Sequence, residues 1–260
     1  MNHDFDMIVH KFPANDDLHI HFISDVHLGA QEHMEREWAD FCDHLLDDPR
    51  AYLVIGGDMV NNCTRNSVSD IYTEVLRPRD QKRIMAEMLS PLRERLLCAV
   101  PGNHEGRGRD ADDCPLFDIL CKIDREDLYR ENMGFVKIMI GNPDKDSRYN
   151  PTYMLVVMHG AGGGMLPGAV INRNERIGYT IDGADALLVG HSHKPMISQP
   201  GKIYIDKYNN LVSIKPFKVV VATSWMSYGG YAARKQLLPA THAPQIITLN
   251  GKKKEIKVTM

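Results

Sequence analysis

The sequence predicts a mixed α/β fold, a four-layer α/β/β/α sandwich in which two mixed sheets pack face to face and helices cover their outer faces. Two observations carry this prediction. Over roughly the first 190 residues, apolar runs of strand length alternate with segments of helical periodicity, and afterwards strand-like runs follow one another. Five of the apolar runs also end abruptly in side chains of metal-binding types. We therefore expect a metal site at the carboxyl ends of the strands.

The first half of the chain contains three predicted strands and three predicted helices. The first strand alternates between polar and apolar residues and then becomes wholly apolar, as expected for a strand that enters a core. The strands are predicted at Leu18–Ile23, Tyr52–Ile55 and Leu96–Val100. Apolar residues at helical spacing predict helices at about 31–47, 84–92 and 116–129.

The second half is richer in strands. Strands are predicted at Phe135–Ile140, Tyr153–Met158, Ala186–Val189, near Ile203 and Val212, and at Lys218–Ala222, with a helix at about 169–181 and a closing hairpin around Asn250 and Gly251. The chain shows no internal repeat, no low-complexity linker and no shift in composition. We therefore expect one domain over residues 1–260, with the motifs in 18–193 and a β-rich part, 194–260, that completes the second sheet.

The composition is that of an ordinary soluble globular protein. The net charge of −3 gives no overall attraction to nucleic acid, so such a partner would have to be held by local arginines. Five cysteines form no zinc-binding pattern and are expected to be reduced thiols. The N-terminus lacks the features of a signal peptide, and no apolar run reaches the roughly 20 residues that span a bilayer. We expect a cytoplasmic protein with no membrane partner.

The residues at the five strand ends are of the types that hold metal ions. They are Asp25 and His27, Asp58, Asn103 and His104, His159, and His191 and His193. Side chains two apart on an extended chain point the same way, so Asp25 and His27 are expected to converge. Carboxylates, imidazoles and an amide without a thiolate suit two divalent ions, and manganese fits best, with iron and zinc as alternatives.

Each of these motifs alone has an ordinary structural interpretation. Asn, Gly and His are common in loops, and a single His159 at a strand end is more often a hydrogen-bonded loop residue than a ligand. The combination is different, because five such motifs each follow an aliphatic or β-branched run. The set therefore favours a metal site over coincidence.

The five motifs also occur in the order typical of a known family. They are Asp25-x-His27, Gly57-Asp58-x-x-Asn61, Gly102-Asn103-His104-Glu105, His159-Gly160 and Gly190-His191-x-His193. In this series the chain resembles the calcineurin-like metallophosphoesterases from about Ile20 to His193. The resemblance implies a hydrolase that cleaves phosphate esters by attack of a hydroxide bridging two metal ions.

The resemblance also implies a role for each motif residue. The first metal would be held by Asp25, His27 and His193, and the second by Asn103, His159 and His191. Asp58 would bridge the two ions. His104 would lie on the leaving-group side, where it donates a proton or stabilises the developing alkoxide. Apart from the resemblance, Glu105 is expected either to support a ligand from behind or to fix the loop.

The chain departs from the family pattern after Asp58. In the protein-phosphatase branch this motif reads Gly-Asp-x-Val-Asp-Arg-Gly, and its second Asp orients the catalytic histidine. Here Asn61 stands in place of that Asp, and we expect it to accept a hydrogen bond from His104. A neutral partner does not favour the imidazolium, so the pKa of His104 should be less raised than in that branch. The loss of the Arg also makes a phosphoprotein substrate less expected.

Five arginines near the motifs are candidates for binding the substrate phosphate. They are Arg65, Arg107, Arg109, Arg173 and Arg176. Arginine can clamp a phosphate through two parallel hydrogen bonds. The alternative is that they are surface charges balanced by neighbouring acidic residues, and the sequence favours neither interpretation.

The substrate remains open among three hypotheses. The first is a phosphodiesterase or nuclease, with nucleic acid or a nucleotide as partner. The second is a phosphomonoesterase of a small metabolite or nucleotide. The third is a scaffold of the same fold that has lost catalysis, and the presence of every ligand position and of His104 argues against it. The oligomeric state is not predicted, and the residues do not decide which of manganese, iron and zinc the native protein holds.

Two further stretches have open interpretations. The glycine-rich segment Ala161–Met165 could cradle a phosphate through its N–H groups, although it lacks the Lys-Ser/Thr of a P-loop, and a sharp turn beside the metals is favoured. The aromatic stretch Ser224–Tyr231 could bind a substrate base or a subunit, and packing that closes the second sheet is favoured.

Overall fold

A computed structural model describes residues 5–65, 67, 71–141, 150–162, 164 and 166–260. Within these residues the strands are β1 (Met7–Phe12), β2 (Leu18–Ile23), β3 (Ala51–Ile55), β4 (Leu96–Ala99), β5 (Met133–Ile140), β6 (Thr152–Met158), β7 (Ala186–Val189), β8 (Met196–Ser198), β9 (Gly201–Asp206), β10 (Leu211–Pro216), β11 (Lys218–Val221), β12 (Ile246–Leu249) and β13 (Ile256–Thr259). The α-helices are α1 (Glu35–Asp47), α2 (Pro78–Leu89), α3 (Pro115–Lys122), α4 (Pro167–Thr180) and α5 (Gly230–Arg234).

Two mixed sheets form the body of the protein. One has six strands in the order β1-β5-β6-β7-β11-β8, and the other has five in the order β13-β12-β2-β3-β4. In the second sheet β2, β3 and β4 run parallel, and in the first β6, β7 and β11 run parallel. The predicted fold class is therefore confirmed.

The main core lies between the two sheets. Phe22 and Ile55 of the five-stranded sheet share one buried cluster with Leu155 and Val157 of β6. The residue between them, Val156, points to the opposite face and joins a second cluster beneath α4. Because the central strands are covered on both faces, their sequences are continuously apolar, which is why the short runs of the sequence could be recognised as strands.

The predicted helices are present with shifted ends. α1 ends at Asp47 as predicted but begins at Glu35, because the preceding residues pair with the C-terminal part of the chain: His33 forms a bridge with Met226, and the Met34 N–H donates to the Trp225 carbonyl over 2.8 Å. α2 gives way to a 3₁₀ helix at Ser90–Arg95. Proline at position 91 has no N–H to continue the α-helical ladder.

The third predicted helix is shorter than its apolar pattern suggested. α3 ends at Lys122, and a separate 3₁₀ turn follows at Glu126–Leu128. Between them Asp124 has a positive φ of 56°, which interrupts helical geometry. β1 was not predicted at all, because it is short, two of its six residues are the polar His10 and Lys11, and its pairing partner, β5, lies more than 100 residues away.

The prediction that residues 194–260 complete the second sheet is wrong. β8 and β11 extend the six-stranded sheet, whereas β12 and β13 extend the five-stranded sheet beside β2. β9 and β10 form a separate two-stranded hairpin. The C-terminal strands divide in this way because Ile247 pairs opposite Ile20 at one sheet edge, while Val219 pairs beside Leu187 in the other sheet.

Trp225 of the aromatic stretch Ser224–Tyr231 packs in the interior, as the favoured interpretation expected, but it does so against α1. Trp225 is 1% exposed and its ring meets that of Trp38 edge-on at 5.1 Å. Tyr228 of the same stretch is half exposed. None of the helices in the described part of the chain combines the length and the apolar character that crossing a membrane requires.

Candidate metal centre

The predicted ligands lie where the parallel strands of the two sheets end. They follow β2 (Asp25, His27), β3 (Asp58), β4 (Asn103, His104), β6 (His159) and β7 (His191, His193). Parallel neighbours present their carboxyl ends at one edge of a sheet. The structure therefore brings together residues that are more than 160 positions apart in the chain.

A backbone contact ties the ligand loops of the two sheets to each other. The N–H of His191 donates to Asp25 Oδ2 over 2.8 Å. The preceding residue, Gly190, lies so close to Ser24 that an added Cβ would be 2.0 Å from its hydroxyl oxygen. A glycine is thus required at this position for the two loops to meet.

Asp25, His27 and His193 form the first ligand group. Asp25 Oδ1 lies 3.1 Å from His193 Nε2, and His27 Nε2 lies 3.2 Å from the same nitrogen. Asp25 Oδ1 is fully buried but receives no well-directed hydrogen bond. Three donor atoms thus face one point, as ligands of a single cation would.

Asp58, His159 and His191 form the second group, together with Asn103. His159 Nε2 lies 3.3 Å from Asp58 Oδ2 and 3.0 Å from Asn103 Oδ1, and His191 Nδ1 lies 2.7 Å from the same amide oxygen. On the far side of its ring, His159 Nδ1 donates to the carbonyl of Gly56 over 2.7 Å. With Nδ1 engaged in this way, Nε2 is the ring nitrogen that faces the cluster and the one that a metal ion would bind.

The ligand loops have a backbone conformation that the sequence did not predict. Asp25, His27, Asp58, His191 and His193 all have positive φ, between 50° and 68°. The predicted convergence of Asp25 and His27 is therefore found, with 3.9 Å between Oδ1 and Nε2, but the stated reason is wrong, because the chain is not extended there. Left-handed conformations are unfavourable for residues with a side chain, so surrounding contacts must hold them.

Glu105 holds the loops after β3 and β4 together, as predicted. Its buried carboxylate accepts hydrogen bonds from the N–H groups of Asp58, Met59 and Gly102 at 2.7–2.8 Å and of Val60 at 3.3 Å. Burial and the charge of Asp58 raise the pKa of Glu105, and the N–H donors act in the opposite direction. The side chain therefore sets the position of Asp58.

The buried carboxylates of the cluster favour positive charge on the groups around them. Burial would raise the pKa of Asp25, but the charge on His193 outweighs it and lowers the pKa to about 2. Burial likewise lowers the pKa of His159, while the charge of Asp58 outweighs it and raises the pKa to about 10. The two buried carboxylates thus favour the charged form of the neighbouring imidazoles. Cations bound among these groups would supply the same charge.

His104 contacts Asn61 differently from the prediction. His104 Nδ1 donates to the main-chain carbonyl of Asn61 over 2.8 Å, whereas the Asn61 side-chain amide donates to Glu74. Arg107 donates to the same carbonyl and, through Nη2, to His104 Nε2, both at 2.8 Å. Burial is the largest effect that lowers the pKa of His104, to about 4, in spite of the opposing charge of Asp58. The contact that was predicted through the Asn61 side chain therefore runs through its main chain. The comparison of the His104 pKa with that of the protein-phosphatase branch stays a prediction.

Glu74 and Gln81 support this arrangement and were missed in the sequence. The Glu74 carboxylate accepts from the side-chain amides of both Asn61 and Gln81, and Gln81 Oε1 accepts from the N–H of Asn62 over 2.9 Å. Gln81 is fully buried on α2. In the sequence it stands among charged residues, between Asp80 and Lys82, and a single Gln in such a segment gives no signal of function.

The other arginines do not join the ligand cluster. Arg109 Nη2 lies 3.5 Å from Glu131, and Arg65 is exposed. Arg173 donates to the carbonyls of Ala161 and Gly162 at 2.6 and 2.7 Å.

The Arg173 contacts bear on the glycine-rich segment, because they fix its start through carbonyl groups. Gly163 and Met165 of that segment lie outside the described residues. Arg176 lines a shallow depression on α4 with Arg173 and Tyr179. Of the five arginines, Arg107 is the one that contacts His104.

The donor set fits divalent metal ions. It contains buried carboxylates, imidazoles with their distal nitrogens engaged or facing the cluster, an amide oxygen and the unsatisfied Asp25 Oδ1, but no thiolate. These are ligands that manganese, iron and zinc accept. A sandwich of two mixed sheets with such a cluster at its strand ends is the design of a metallophosphoesterase.

Comparison with known families agrees with this class. The family model described as calcineurin-like phosphoesterase matches residues 18–195, more than half of the chain. The chain therefore belongs to the calcineurin-like phosphoesterase family, whose members are metal-dependent phosphoesterases.

Individual relatives are more distant. The chain is 36% identical over 101 residues to the DNA polymerase II small subunit of Halobacterium salinarum, a match that covers 37% of this chain and 20% of that protein. A metallophosphoesterase from Sphaerobacter thermophilus has 15% identity and a TM-score of 0.37, with 89% and 83% of the two chains covered. NAD nucleotidase from Haemophilus influenzae has 10% identity and a TM-score of 0.41, with 94% and 49% covered.

Replacing Glu105 by Gln should destabilise the protein. The amide can accept through one oxygen only, and its NH₂ group would face N–H donors that lose their partner. We expect a loss of roughly 2–4 kcal/mol in the free energy of unfolding, measured by urea denaturation. Glu131→Gln, at an exposed residue, serves as the control and should change it by less than about 0.5 kcal/mol. Equal values for the two variants would contradict the role of Glu105.

Metal binding should stabilise the fold, because the ligand loops combine buried charge with left-handed backbone. Manganese at about 100 times its dissociation constant should add about 2.7 kcal/mol. For a chain of this size, that corresponds to a rise of roughly 5–10 °C in the melting temperature over chelator-treated protein. His193→Ala should abolish most of the rise, whereas His44→Ala, at an exposed residue of α1, should keep it. An unchanged rise in His193→Ala would argue against this ligand.

Proposed function

We propose that the protein hydrolyses phosphate esters with two divalent metal ions bound at this cluster. The observation that carries the proposal is the arrangement of two ligand groups on either side of the buried Asp58. Its Oδ2 lies 3.8 Å from His27 Nε2 and 3.3 Å from His159 Nε2, so one carboxylate faces both groups. The proposed ligands are Asp25, His27 and His193 for the first ion and Asn103, His159 and His191 for the second, with Asp58 shared.

Manganese is the proposed metal, with iron and zinc as alternatives, because the site combines hard oxygen with imidazole donors. The chemistry that bound ions supply is the polarisation of a phosphate ester and the activation of water. Asp58 is held for this task by Glu105 and by the N–H of His104, which donates to its Oδ1 over 2.7 Å. The protein thus orients the shared carboxylate before any ligand binds.

His104 and Arg107 are proposed to act on the leaving-group side. The Asn61 carbonyl fixes the His104 ring, and its Nε2 edge and the Arg107 guanidinium form one polar surface beside the cluster. A bound phosphate would draw the Arg107 guanidinium away from His104 Nε2 to a non-bridging oxygen. His104 would then take up a proton at Nε2 and donate it to the leaving oxygen. Geometry alone also groups His104 with His27 and Asp58 as a ligand set, but contacts at both of its ring nitrogens argue for the catalytic role.

A phosphodiester, in a nuclease or phosphodiesterase reaction, is the proposed substrate. Asn103 is exposed and the His193 side chain is 40% exposed, so the cluster is open enough for an extended substrate. The partial match to a DNA polymerase subunit supports a nucleic-acid or nucleotide partner. A phosphomonoesterase of a small metabolite is the second candidate. A catalytically silent scaffold is less supported, since every ligand position and His104 are filled.

The remaining parts of the proposal concern the chain as a whole. We propose that residues 1–260 form one domain. The N-terminal β1 belongs to the six-stranded sheet, and the C-terminal β12 and β13 belong to the five-stranded sheet, so both ends of the chain are part of the same sandwich. A cytoplasmic location is supported by the five cysteines, since the structure describes all five and no disulfide joins any of them.

The function is tested by turnover of four substrates with manganese: bis(nitrophenyl) phosphate, nitrophenyl phosphate, single-stranded DNA and a cyclic nucleotide. We expect the diesters to be hydrolysed faster than the monoester. His104→Ala should lower the rate of DNA cleavage by roughly 10²–10⁴-fold. The rate of hydrolysis of bis(nitrophenyl) phosphate should fall much less, because nitrophenolate is a good leaving group that needs no proton.

Three outcomes separate the alternatives. Turnover of the monoester alone would replace the first candidate by the second. A metal-loaded protein inert towards all four esters would favour the scaffold. An equal loss for good and poor leaving groups in His104→Ala, at unchanged metal content, would overturn the role given to His104.

Arg107 and Arg109 provide a matched pair of variants, since they are two residues apart but make different contacts. Arg107→Ala should lower the specificity constant roughly 10- to 100-fold through the loss of a charge-assisted hydrogen bond to phosphate. Arg109→Ala removes an exposed pair with Glu131 and should stay within about twofold. Steady-state kinetics with the preferred ester measures both, and a larger loss in Arg109→Ala would contradict the assignment.

A further inference from the structure

The β9–β10 hairpin is a well-formed element that the ligand cluster does not use. Its strands pair in regular antiparallel register, with Ile203 opposite Ile214 and Ile205 opposite Val212. At the tip, the Asp206 carboxylate accepts hydrogen bonds from the N–H groups of Tyr208 and Asn209 at 3.0 and 3.1 Å, which closes the turn. The hairpin therefore has one defined shape.

One face of this hairpin is entirely aliphatic and lies in water. Alternate residues of a strand share a face, so Ile203, Ile205, Val212 and Ile214 lie side by side. These four residues, which we call the aliphatic face, are 71–76% exposed.

The opposite face of the hairpin is mixed in character and carries Lys202, Tyr204, Ser213 and Lys215, with the Lys215 ammonium 3.0 Å from the centre of the Tyr204 ring. The apolar side of an amphipathic element thus faces solvent.

The attachment of the hairpin explains why the aliphatic face points outward. Lys202 lies on the opposite face, and its ammonium donates to the carbonyls of Gly178 and Ile181 at the end of α4, at 2.5 and 2.7 Å. It also lies 4.4 Å from the centre of the Phe217 ring. A cation is favoured at a helix C-terminus, so the face that carries Lys202 is turned towards the body of the protein. The aliphatic face therefore points outward.

We propose that the aliphatic face is a dimerisation surface that packs against the same face of a second copy of this chain. A two-stranded hairpin alone is marginally stable in water, and packing two hairpins face to face gives each of them a covered apolar side. A two-fold contact requires a patch complementary to itself. The aliphatic face meets this condition, because it carries no charge that would be repelled by its own copy.

The size of the surface predicts the strength of the dimer. At roughly 100 Å² for each aliphatic side chain, four from each copy would remove roughly 800 Å² from water. Specific interfaces of standard size bury about 1,200–2,000 Å², so this one belongs with small, transient contacts. The dimer should therefore form at tens of micromolar protein and dissociate on dilution.

Sedimentation analysis of the full chain, from about 1 to 200 μM, tests the proposal. The average mass should rise from 29.4 kDa towards twice that value. Ile205→Lys should stay monomeric at every concentration and keep the thermal stability and ester hydrolysis of the wild type. Ser213→Lys, on the opposite face of the same hairpin, is the matched control and should associate as the wild type does.

Mixing two variants separates a lost interface from a damaged hairpin. Ile205→Lys and Ile205→Glu should each be monomeric, and an equimolar mixture should form a heterodimer, because opposite charges then meet across the two-fold axis. A wild type that stays monomeric at 200 μM, or an Ile205→Lys chain that still dimerises, would overturn the proposal. The proposal would also be overturned if the wild type were monomeric and sedimented with phospholipid vesicles while Ile205→Glu did not. That result would assign the aliphatic face to a lipid surface.

Discussion

The hydrogen bonds of the Glu105 carboxylate are the contact on which the geometry of the site depends. They join the loop after β3 to the loop after β4, and each loop carries ligands of the cluster. A buried carboxylate is unfavourable unless its lone pairs are occupied, and here N–H groups of both loops meet that need. Asp58 is fixed as a result, with one oxygen on the N–H of His104 and the other facing the imidazoles.

The cluster stores two kinds of unfavourable free energy in the same place. Asp25 and Asp58 are buried charges, and five ligand residues have left-handed backbone. Each feature alone would destabilise the fold. Both also place donor atoms close together, and cations bound there would offset the unfavourable free energy. In the chain as described, Asp58 and Asp25 raise the pKa of His159 and His193 despite burial, so the two carboxylates favour the charged form of these imidazoles. Stability and ligand binding are therefore coupled at this cluster.

Much of the site could be predicted because its information is local in sequence. β7 was predicted with its observed bounds, since a continuous apolar run followed by Gly190 and His191 is visible without knowledge of the fold. The remainder depends on contacts between distant segments. β1 needs β5 as its partner, and Asn61 contacts His104 through a carbonyl group that every residue possesses, so no side-chain pattern reveals it. Glu74 was missed for the same reason, because its link to His104 passes through another residue.

The position of the β9–β10 hairpin in the fold bears on what it is for. β8 and β11 already pair with each other in antiparallel register, so a short turn would suffice to connect them. Instead, residues 201–216 are inserted at this point, and the Phe217 N–H donates to the Pro200 carbonyl over 3.1 Å to close the base of the insertion. The sheet and the ligand loops are complete without the inserted residues. Neither the core nor the ligand cluster therefore explains why the hairpin exposes the four branched side chains of the aliphatic face. An apolar contact with a second copy of the chain would explain it.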